Sequence, residues 1–271
     1  MKVLLTGASG GVGTRLREML PQHYPHLRLS DLAAPKDLRA DEEFVAADLS
    51  DMVQVERAVD GVDGIIHLGA HSIEGPWETI LQANIAGTYN IFEAARRQGV
   101  KRVVFASSNH VVGFYPRGQR IGTDVTALPD TRYGVSKACG EALGALYAYK
   151  YGLRVLCLRI GNFGDVPLDV RRLSIWLKPE DLVQLIQIGL EHPDLRHEIF
   201  YGASANTRGW WDNSAAYRYG YKPSGDSETM LQAALDGQAK LAPDPVSDFF
   251  QGGPFCSQEF SADFEALRKE L

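Results

Sequence analysis

A short apolar run at the start of the chain ends in a glycine-rich turn, and this turn constrains the fold more than any other feature. The run Val3–Thr6 is followed by glycines at positions 7, 10 and 13. The first glycine lets the chain turn sharply out of a strand, the second lets backbone approach a pyrophosphate, and the third lets the next helix pack closely on the sheet. The N–H groups at the start of that helix attract phosphate. The turn therefore predicts a dinucleotide site formed by Gly7, Gly10, Gly11, Val12 and Gly13.

Composition excludes several other classes of protein. With 271 residues, 45% hydrophobic and 23% charged, the chain has the make-up of one large globular domain. Its net charge of −6 argues against a nucleic-acid partner. No apolar run reaches membrane-spanning length and no signal-peptide pattern is present, so we expect a cytoplasmic protein without a membrane partner. The three cysteines, Cys139, Cys157 and Cys256, form no CxxC pair. We therefore predict neither a disulfide framework nor a metal site.

Strand and helix patterns alternate along the first 160 residues. Short apolar runs bounded by turn residues predict strands at 2–6, 27–31, 43–47, 64–68, 102–107 and 154–160. Helical patterns lie at 11–20, 51–59, 77–98 and 132–151. This alternation predicts an α/β fold of the Rossmann type, a doubly wound parallel sheet with helices on both faces.

The remaining residues are predicted to form a small C-terminal substrate-binding lobe within a single domain, 1–271. The stretch 161–182 is irregular, and a helix at about 180–191, a strand at 197–201 and a helix at 227–236 follow. The segment 243–256 is apolar and aromatic for a tail, so it either lies across a neighbouring subunit or packs on its own chain. We expect a homo-oligomer.

Ligands of such sheets bind at the carboxyl ends of the strands, and one carboxylate there indicates the cofactor. Asp31 ends the second strand, 18 residues after Gly13. A carboxylate at this place accepts both hydroxyls of an adenosine ribose and repels a 2′-phosphate, which favours NAD over NADP. A turn or capping aspartate is the alternative. Further cofactor contacts are expected from other strand ends and from an asparagine within a predicted helix: Asp48, Leu49, Leu68, Gly69, Ala70, Asn84, Ser107 and Ile160.

Three polar residues predict proton and hydride chemistry. Tyr133 and Lys137 are four residues apart on a predicted helix, so both side chains lie on one face. A tyrosine is too weakly acidic to act as a base at neutral pH unless positive charges lower its pKa, and the lysine ammonium and an oxidised nicotinamide are such charges. Ser108 ends the preceding strand, where its hydroxyl can hold the same substrate oxygen. Together these residues predict a base that removes a hydroxyl proton while hydride leaves the same carbon.

These motifs resemble those of the short-chain dehydrogenase/reductase superfamily, extended type. The pattern Thr6-Gly-x-x-Gly-x-x-Gly13 and the pair Tyr133-x-x-x-Lys137 carry the resemblance over residues 1 to about 165. It implies a doubly wound sheet that binds NAD(P), with Ser108, Tyr133 and Lys137 performing the hydride chemistry.

Further segments resemble bacterial uronate dehydrogenases along nearly the whole chain. They are Phe105–His110, Tyr133–Lys137, Arg159–Gly161, Arg171–Trp176, Gly202–Asn206, Gly209–Ser214 and Phe250–Gly253. This resemblance implies oxidation of the ring form of glucuronate or galacturonate at C1 by NAD⁺, which gives an aldaro-lactone. It also places Arg171 on the substrate carboxylate, a group that arginine binds with two parallel hydrogen bonds.

The remaining substrate contacts are expected from polar residues at the same strand ends: Ser72, Ser108, Asn109, His110, Tyr133 and Asn162. Two positions depart from the family. Asn162 stands where a small hydroxyl residue is usual, and Gly11 offers no side chain where relatives can carry a polar one. Trp176 is interpreted as a packing residue. The adjacent Trp210 and Trp211 are interpreted as core or interface anchors, with stacking on a sugar face as the alternative.

Two other functions remain as alternatives. A sugar-nucleotide epimerase or dehydratase would share the Ser-Tyr-Lys set, but such chains usually carry a larger C-terminal lobe. A non-catalytic regulator that senses NAD would not need Ser108, Tyr133 and Lys137 together.

Overall fold

The chain folds around one large parallel sheet, and the computed structural model describes all residues from 1 to 271. Its strands are β1 (Lys2–Thr6), β2 (His26–Asp31), β3 (Glu43–Ala46), β4 (Gly64–His67), β5 (Arg102–Ser108) and β6 (Arg154–Ile160), then the short β7 (Asn162–Phe163) and β8 (Trp176–Leu177), and finally β9 (His197–Gly202). Seven strands form the sheet in the order β3-β2-β1-β4-β5-β6-β9, while β7 pairs with β8. Successive strands add on opposite sides of β1, so a crevice opens where β1 and β4 lie side by side.

Helices cover both faces of the sheet, as the alternating pattern predicts. They are α1 (Gly11–Met19), α2 (Met52–Val59), α3 (Trp77–Ile80), α4 (Gly87–Arg97), α5 (Arg132–Tyr151), α6 (Val170–Ile175), α7 (Pro179–Glu191), α8 (Ser214–Arg218), α9 (Leu231–Gln238), α10 (Pro245–Phe249), α11 (Pro254–Ser257) and α12 (Phe264–Glu270). None of them combines the length and apolar character that a membrane crossing requires.

Two apolar clusters form the core, one on each face of the sheet. Leu4 and Leu5 are neighbours on β1, point to opposite faces and are both fully buried. Leu5 belongs to the cluster that includes Leu16 of α1, whereas Leu4 packs with Phe92 of α4 and Tyr147 of α5. Because strands buried on both faces must be apolar throughout, the strand positions are readable from the sequence.

The helix that carries the predicted catalytic pair has well-defined ends. At its start the Thr131 hydroxyl accepts a hydrogen bond from the Gly134 N–H at 3.0 Å. At its end Gly152 adopts the left-handed conformation with φ +78°, which terminates helices at little steric cost. The first turn of α5 therefore has a fixed position beside the carboxyl end of β5.

The structure corrects two expectations about secondary structure. The predicted helix 77–98 is interrupted by a π-helical segment, Leu81–Ala86. The stretch expected to be irregular, 161–182, contains α6 and the β7–β8 pair, which are too short to show a periodic pattern.

The segment 243–256 contains two short helices, α10 and α11, and packs on its own chain. The N–H groups of Gln251 and Gly252 each donate to a carbonyl at 2.8 Å, those of Tyr115 and Gly113 respectively. Of the two arrangements considered for this segment, the structure shows packing on its own chain.

Candidate active site

A cavity of about 790 Å³ opens at the carboxyl ends of the central strands. It brings together most of the residues that the sequence proposes: Gly7, Gly10, Gly11, Val12, Gly13, Asp31, Asp48, Leu49, Leu68, Gly69, Ala70, Ser72, Ser107, Ser108, Asn109, His110, Tyr133, Lys137, Ile160 and Asn162. Two predicted residues, Asn84 and Arg171, do not line it.

The glycine turn forms one end of the cavity, and its geometry requires glycine at two positions. Gly7 has φ +68°, and a Cβ there would lie 2.8 Å from the Gly69 nitrogen. A Cβ at Gly13 would lie 2.2 Å from the Gly7 oxygen. No side chain caps the start of α1, so its first N–H groups remain available to a ligand. This backbone cradle fits the diphosphate of a dinucleotide.

Asp31 is held at the edge of the same cavity by backbone donors. Its Oδ2 accepts from the Ser9 N–H at 2.9 Å and its Oδ1 from the Leu32 N–H at 2.8 Å. Each carboxylate oxygen has a further lone pair. The carboxylate is therefore oriented by the turn and can still accept from ribose hydroxyls, which fits an unphosphorylated adenosine.

The three predicted catalytic residues meet in the middle of the cavity. Ser108 ends β5, Tyr133 lies in the first turn of α5, and Lys137 lies one turn further; all three are buried. The Lys137 Nζ donates to the Ala106 carbonyl at 2.7 Å and lies 5.6 Å from the centre of the Tyr133 ring. A substrate oxygen placed between Ser108 and Tyr133 would therefore contact both hydroxyls.

Burial dominates the acid–base properties of this group. It raises the pKa of Tyr133 to about 12, although the Ser108 hydroxyl acts in the opposite direction. Burial also lowers the pKa of Lys137 to about 7. In the protein without bound nicotinamide, desolvation of the phenol is thus the largest influence on the pKa of Tyr133, and the Lys137 ammonium donates to the Ala106 carbonyl. A positive charge beside the phenol, such as that of an oxidised nicotinamide, favours the phenolate.

The side chain of Asn84, a predicted cofactor contact, pairs with protein groups and does not line the cavity. Its Oδ1 accepts from the His71 N–H at 2.7 Å, and its Nδ2 donates to the His71 carbonyl and to the Ser136 hydroxyl, both at 3.0 Å. It therefore fixes the loop after β4 to α5, because its amide can donate and accept at once. This pairing occurs within the π-helical segment that interrupts the predicted helix.

Arg171 is buried on α6, beneath the turn that precedes α11. Its Nε donates to the Gln251 carbonyl at 2.7 Å, and no carboxylate lies within 4 Å of its guanidinium. Burial lowers the pKa of Arg171 to about 10, and the charge of Arg117 contributes. Arg172, its neighbour, forms an ion pair with Asp169 instead. Arg171 is thus a buried cation without an anionic partner.

The residues after β5 offer polar atoms to the middle of the cavity. The Asn109 Nδ2 is buried and has no hydrogen-bond partner. His110 pairs through Nδ1 with Asp130 at 2.6 Å, and its ring stacks on Phe255 with centroids 3.9 Å apart. Because a buried donor without a partner is costly, the Asn109 amide is positioned for a ligand.

Trp176 and Trp211 are buried and pack against neighbouring groups of the chain. Trp211 stacks on Tyr201 with centroids 4.6 Å apart and donates to the Gln251 side chain at 2.8 Å. Trp176 is buried and donates to the Gly164 carbonyl at 2.7 Å. Neither of them lines the cavity.

Comparison with known proteins assigns the chain to a family. The model of the NAD dependent epimerase/dehydratase family matches residues 3–164. The chain belongs to this family. It is 44% identical to the uronate dehydrogenase of Pseudomonas syringae pv. tomato, over 94% of this chain and 93% of that protein. The corresponding enzyme of Agrobacterium fabrum is 43% identical over 94% of this chain and 96% of its own length.

Solved structures extend this similarity to three dimensions. The crystal structure of uronate dehydrogenase from Agrobacterium tumefaciens superposes with a TM-score of 0.90 at 43% identity, covering 94% of this chain and 96% of that one. The crystal structure of glucuronic acid dehydrogenase from Chromohalobacter salexigens gives a TM-score of 0.91 at 43% identity, with coverages of 94% and 96%. A mutant of the Agrobacterium tumefaciens enzyme was solved in complex with NAD.

Several residues that line the cavity were not predicted from the sequence. They include Ser9, Leu32, His71 and Thr79. Most of them follow a predicted strand or precede a predicted helix. The rule that ligands bind at the carboxyl ends of the strands could therefore have included them. The contacts of Asp130 and Phe255 with His110 had no signal in the sequence, since they join residues that lie 20 and 145 positions apart along the chain.

Proposed function

We propose that the protein is an NAD-dependent uronate dehydrogenase that oxidises a cyclic hexuronate at C1 to the aldaro-lactone. The observation that carries this proposal is the meeting of Ser108, Tyr133 and Lys137 in the cavity that begins at the glycine turn. Identities of 43–45% to uronate dehydrogenases over 94% of the chain support the substrate class. A sugar-nucleotide epimerase is disfavoured by the same similarities.

The cofactor site is proposed to hold NAD with the residues of the glycine turn at its diphosphate and Asp31 at its adenosine ribose. Bound NAD⁺ supplies the acceptor for the hydride. Asp48, Leu49, Leu68, Gly69 and Ala70 line the adenosine side of the cavity, while Ser107 and Ile160 line the side near the catalytic residues. Asn84 supports this site indirectly through the loop that it fixes.

The catalytic residues divide the proton chemistry among them. Ser108 holds the C1 hydroxyl, and the Tyr133 phenolate removes its proton as the C1 hydrogen leaves with its electron pair. The bond between C1 and its oxygen becomes a carbonyl, and the ring oxygen stays attached, so the product is a lactone. Lys137 stabilises the phenolate, since its ammonium lies close to the ring.

The substrate carboxylate is proposed to bind Arg171, and the ring hydroxyls are proposed to bind Ser72, Asn109, His110 and Asn162. Arg171 is the buried cation that lacks an anionic partner, and Asn109 carries a buried donor that lacks an acceptor. A buried cation and a buried donor of this kind are matched by an acidic, polyhydroxylated ligand. Since Arg171 does not line the cavity, its guanidinium must turn toward the ligand from beneath Gly253.

The decisive experiment follows NADH absorbance when the protein is mixed with NAD⁺ and with glucuronate, galacturonate or glucose. We expect turnover with the acids and much less with glucose. Replacing NAD⁺ by NADP⁺ should lower kcat/KM, because Asp31 repels a 2′-phosphate. No NADH from either acid would contradict the proposal, and NAD that copurifies and is never released would then favour an epimerase.

We also propose that the protein is a homo-oligomer that works in the cytoplasm. Apolar side chains are exposed along one face of α5, with Val135, Leu146 and Tyr149 exposed by 42%, 45% and 68%. Such a stripe on a helix surface is typical of a face covered by another subunit. All three cysteines are free, which fits a reducing compartment. Cell fractionation would test the location.

A further inference from the structure

The carboxylate of Asp130 is buried behind the cavity wall and takes no part in the proposed reaction. Asp130 lies in the loop before α5, and its side chain is fully buried. Its Oδ2 pairs with the His110 Nδ1 at 2.6 Å, and its Oδ1 accepts from the Thr131 hydroxyl at 2.9 Å. The His110 side chain, 12% exposed, lines the cavity. The Asp130 carboxylate is therefore connected to the substrate site through the His110 ring.

Backbone from two distant segments closes around this carboxylate. A Cβ added at Gly113 or at Gly252 would lie 1.9 Å or 2.0 Å from the Asp130 Oδ2. The Gly252 N–H donates to the Gly113 carbonyl at 2.8 Å, which holds the two segments together. Burial, together with the Asp130 charge, raises the pKa of the nearby Cys256 thiol, so that thiol stays protonated. The enclosure leaves the imidazole as the principal partner of Oδ2.

The His110 ring is held by contacts with Asp130, Tyr133 and Phe255. Phe255 stacks on the ring at an interplanar angle of 19°, and the Tyr133 ring meets it edge-on with centroids 6.0 Å apart. The His110 N–H donates to the Ser108 hydroxyl at 3.2 Å, which ties the backbone to the catalytic serine. With Nδ1 paired to Asp130, the Nε2 atom is the ring nitrogen left for a ligand.

We propose that Asp130 is a positioning residue that holds His110 in the Nδ1-protonated tautomer, so that Nε2 accepts a hydrogen bond from one ring hydroxyl of the substrate. In a neutral imidazole whose Nδ1–H donates to a carboxylate, Nε2 carries the lone pair and acts as an acceptor. A site built to accept a hydroxyl discriminates strongly against sugars that lack it. The inference deepens the proposed function and rests on it for the identity of the ligand.

The first test replaces the carboxylate by an amide of the same shape, Asp130→Asn, which fits the same enclosure. The amide nitrogen can donate to Nδ1, which favours the other tautomer and makes Nε2 a donor. We expect KM for the better uronate to rise about tenfold to a hundredfold, with kcat within about threefold and NAD⁺ affinity unchanged. Asp124→Asn, an exposed carboxylate in the same loop, is the matched control and should leave KM unchanged. An unchanged KM in Asp130→Asn would overturn the inference.

A double-mutant comparison separates positioning from support of the fold. If Asp130 acts through His110, then Asp130→Asn should add no further rise in KM to a protein that already carries His110→Ala. Effects that add in full would assign Asp130 a role independent of His110 and overturn the inference.

A spectroscopic measurement does not depend on substrate. Side-chain ¹⁵N NMR of the intact protein should show the His110 Nδ1 protonated in the wild type and the Nε2 protonated in Asp130→Asn. A wild-type ring with a bare Nδ1 would overturn the inference even if uronate is oxidised. If the wild type oxidises no hexuronate, the proposed function fails, and the NMR result still decides the tautomer.

Discussion

At the scale of single residues, the site depends on one phenol whose environment opposes its ionisation. Burial raises the pKa of Tyr133 to about 12, whereas a positive charge beside it favours the phenolate. Tyr133→Phe keeps the ring and removes the base. Turnover should fall by about 10²- to 10⁴-fold, while NAD⁺ binding, followed by fluorescence titration, should stay near the wild-type value. Turnover within tenfold of the wild type would assign the base elsewhere.

Lys137 makes the stability of the ligand-free protein dependent on pH. Its pKa is lowered from 10.5 to about 7 by burial. Between those pH values the unfolded chain binds a proton that the folded chain releases, so raising the pH stabilises the folded state; below pH 7 the full cost of the buried ammonium remains. Lys137→Met removes that cost. Its gain in the free energy of unfolding, from urea titrations, should be largest below pH 7 and shrink toward pH 10. A gain independent of pH would contradict this account.

Two adjacent arginines allow a matched test of the carboxylate site. Arg171 is buried without an anionic partner, whereas Arg172 already pairs with Asp169. Arg171→Ala should raise KM for a uronate by about tenfold to a thousandfold with a smaller effect on kcat. Arg172→Ala should leave KM nearly unchanged. The measurement is KM in steady-state assays with NAD⁺. Equal effects of the two changes on KM would show that the substrate carboxylate does not bind at α6.

At the scale of elements, the strands and helices that could be predicted are those marked by local, repeated patterns in the sequence. The six strands before residue 160 were predicted to within one or two residues, because each is an apolar run bounded by turn residues. The π-helical segment was missed because nothing in the local sequence marks it, and its Asn84 pairs with His71 and Ser136, which lie in separate parts of the chain. The His110–Asp130 pair was missed for the same reason. The cavity was nevertheless located correctly at the carboxyl ends of the strands, since its position depends on the topology of the sheet alone.

The contact between the first turn and α1 gives a prediction at this scale. A Cβ at Gly13 would lie 2.2 Å from the Gly7 oxygen, whereas one at Gly11 meets nothing within 4 Å. Gly13→Ala should push the helix from the turn, lowering the free energy of unfolding by about 1–3 kcal/mol and weakening NAD⁺ binding. Gly11→Ala should change stability by less than about 1 kcal/mol. Thermal unfolding of both variants measures the difference, and equal losses would contradict close packing as the cause.

At the scale of the whole molecule, the C-terminal third completes the structure that the dinucleotide unit begins. The strand β9 joins the main sheet beside β6, and α7 covers one face, so residues beyond 160 belong to the same core. The turn around Gly252 then reaches back to the site and encloses Asp130. The surroundings of the cavity thus come from both ends of the chain, an arrangement that local sequence patterns do not predict.

The exposed face of α5 leads to a prediction about assembly. Its apolar stripe exposes Leu146 by 45%, nearly the same as the 44% of Leu235 on α9. A stable dimer buries about 800 Å² on each subunit, and a charge placed inside such an interface disfavours association. Leu146→Asp should therefore lower the mass measured by light scattering after gel filtration, whereas Leu235→Asp should not. A wild-type protein that elutes as a monomer would contradict the proposed oligomer, and dissociation by both variants equally would place the interface elsewhere than on α5.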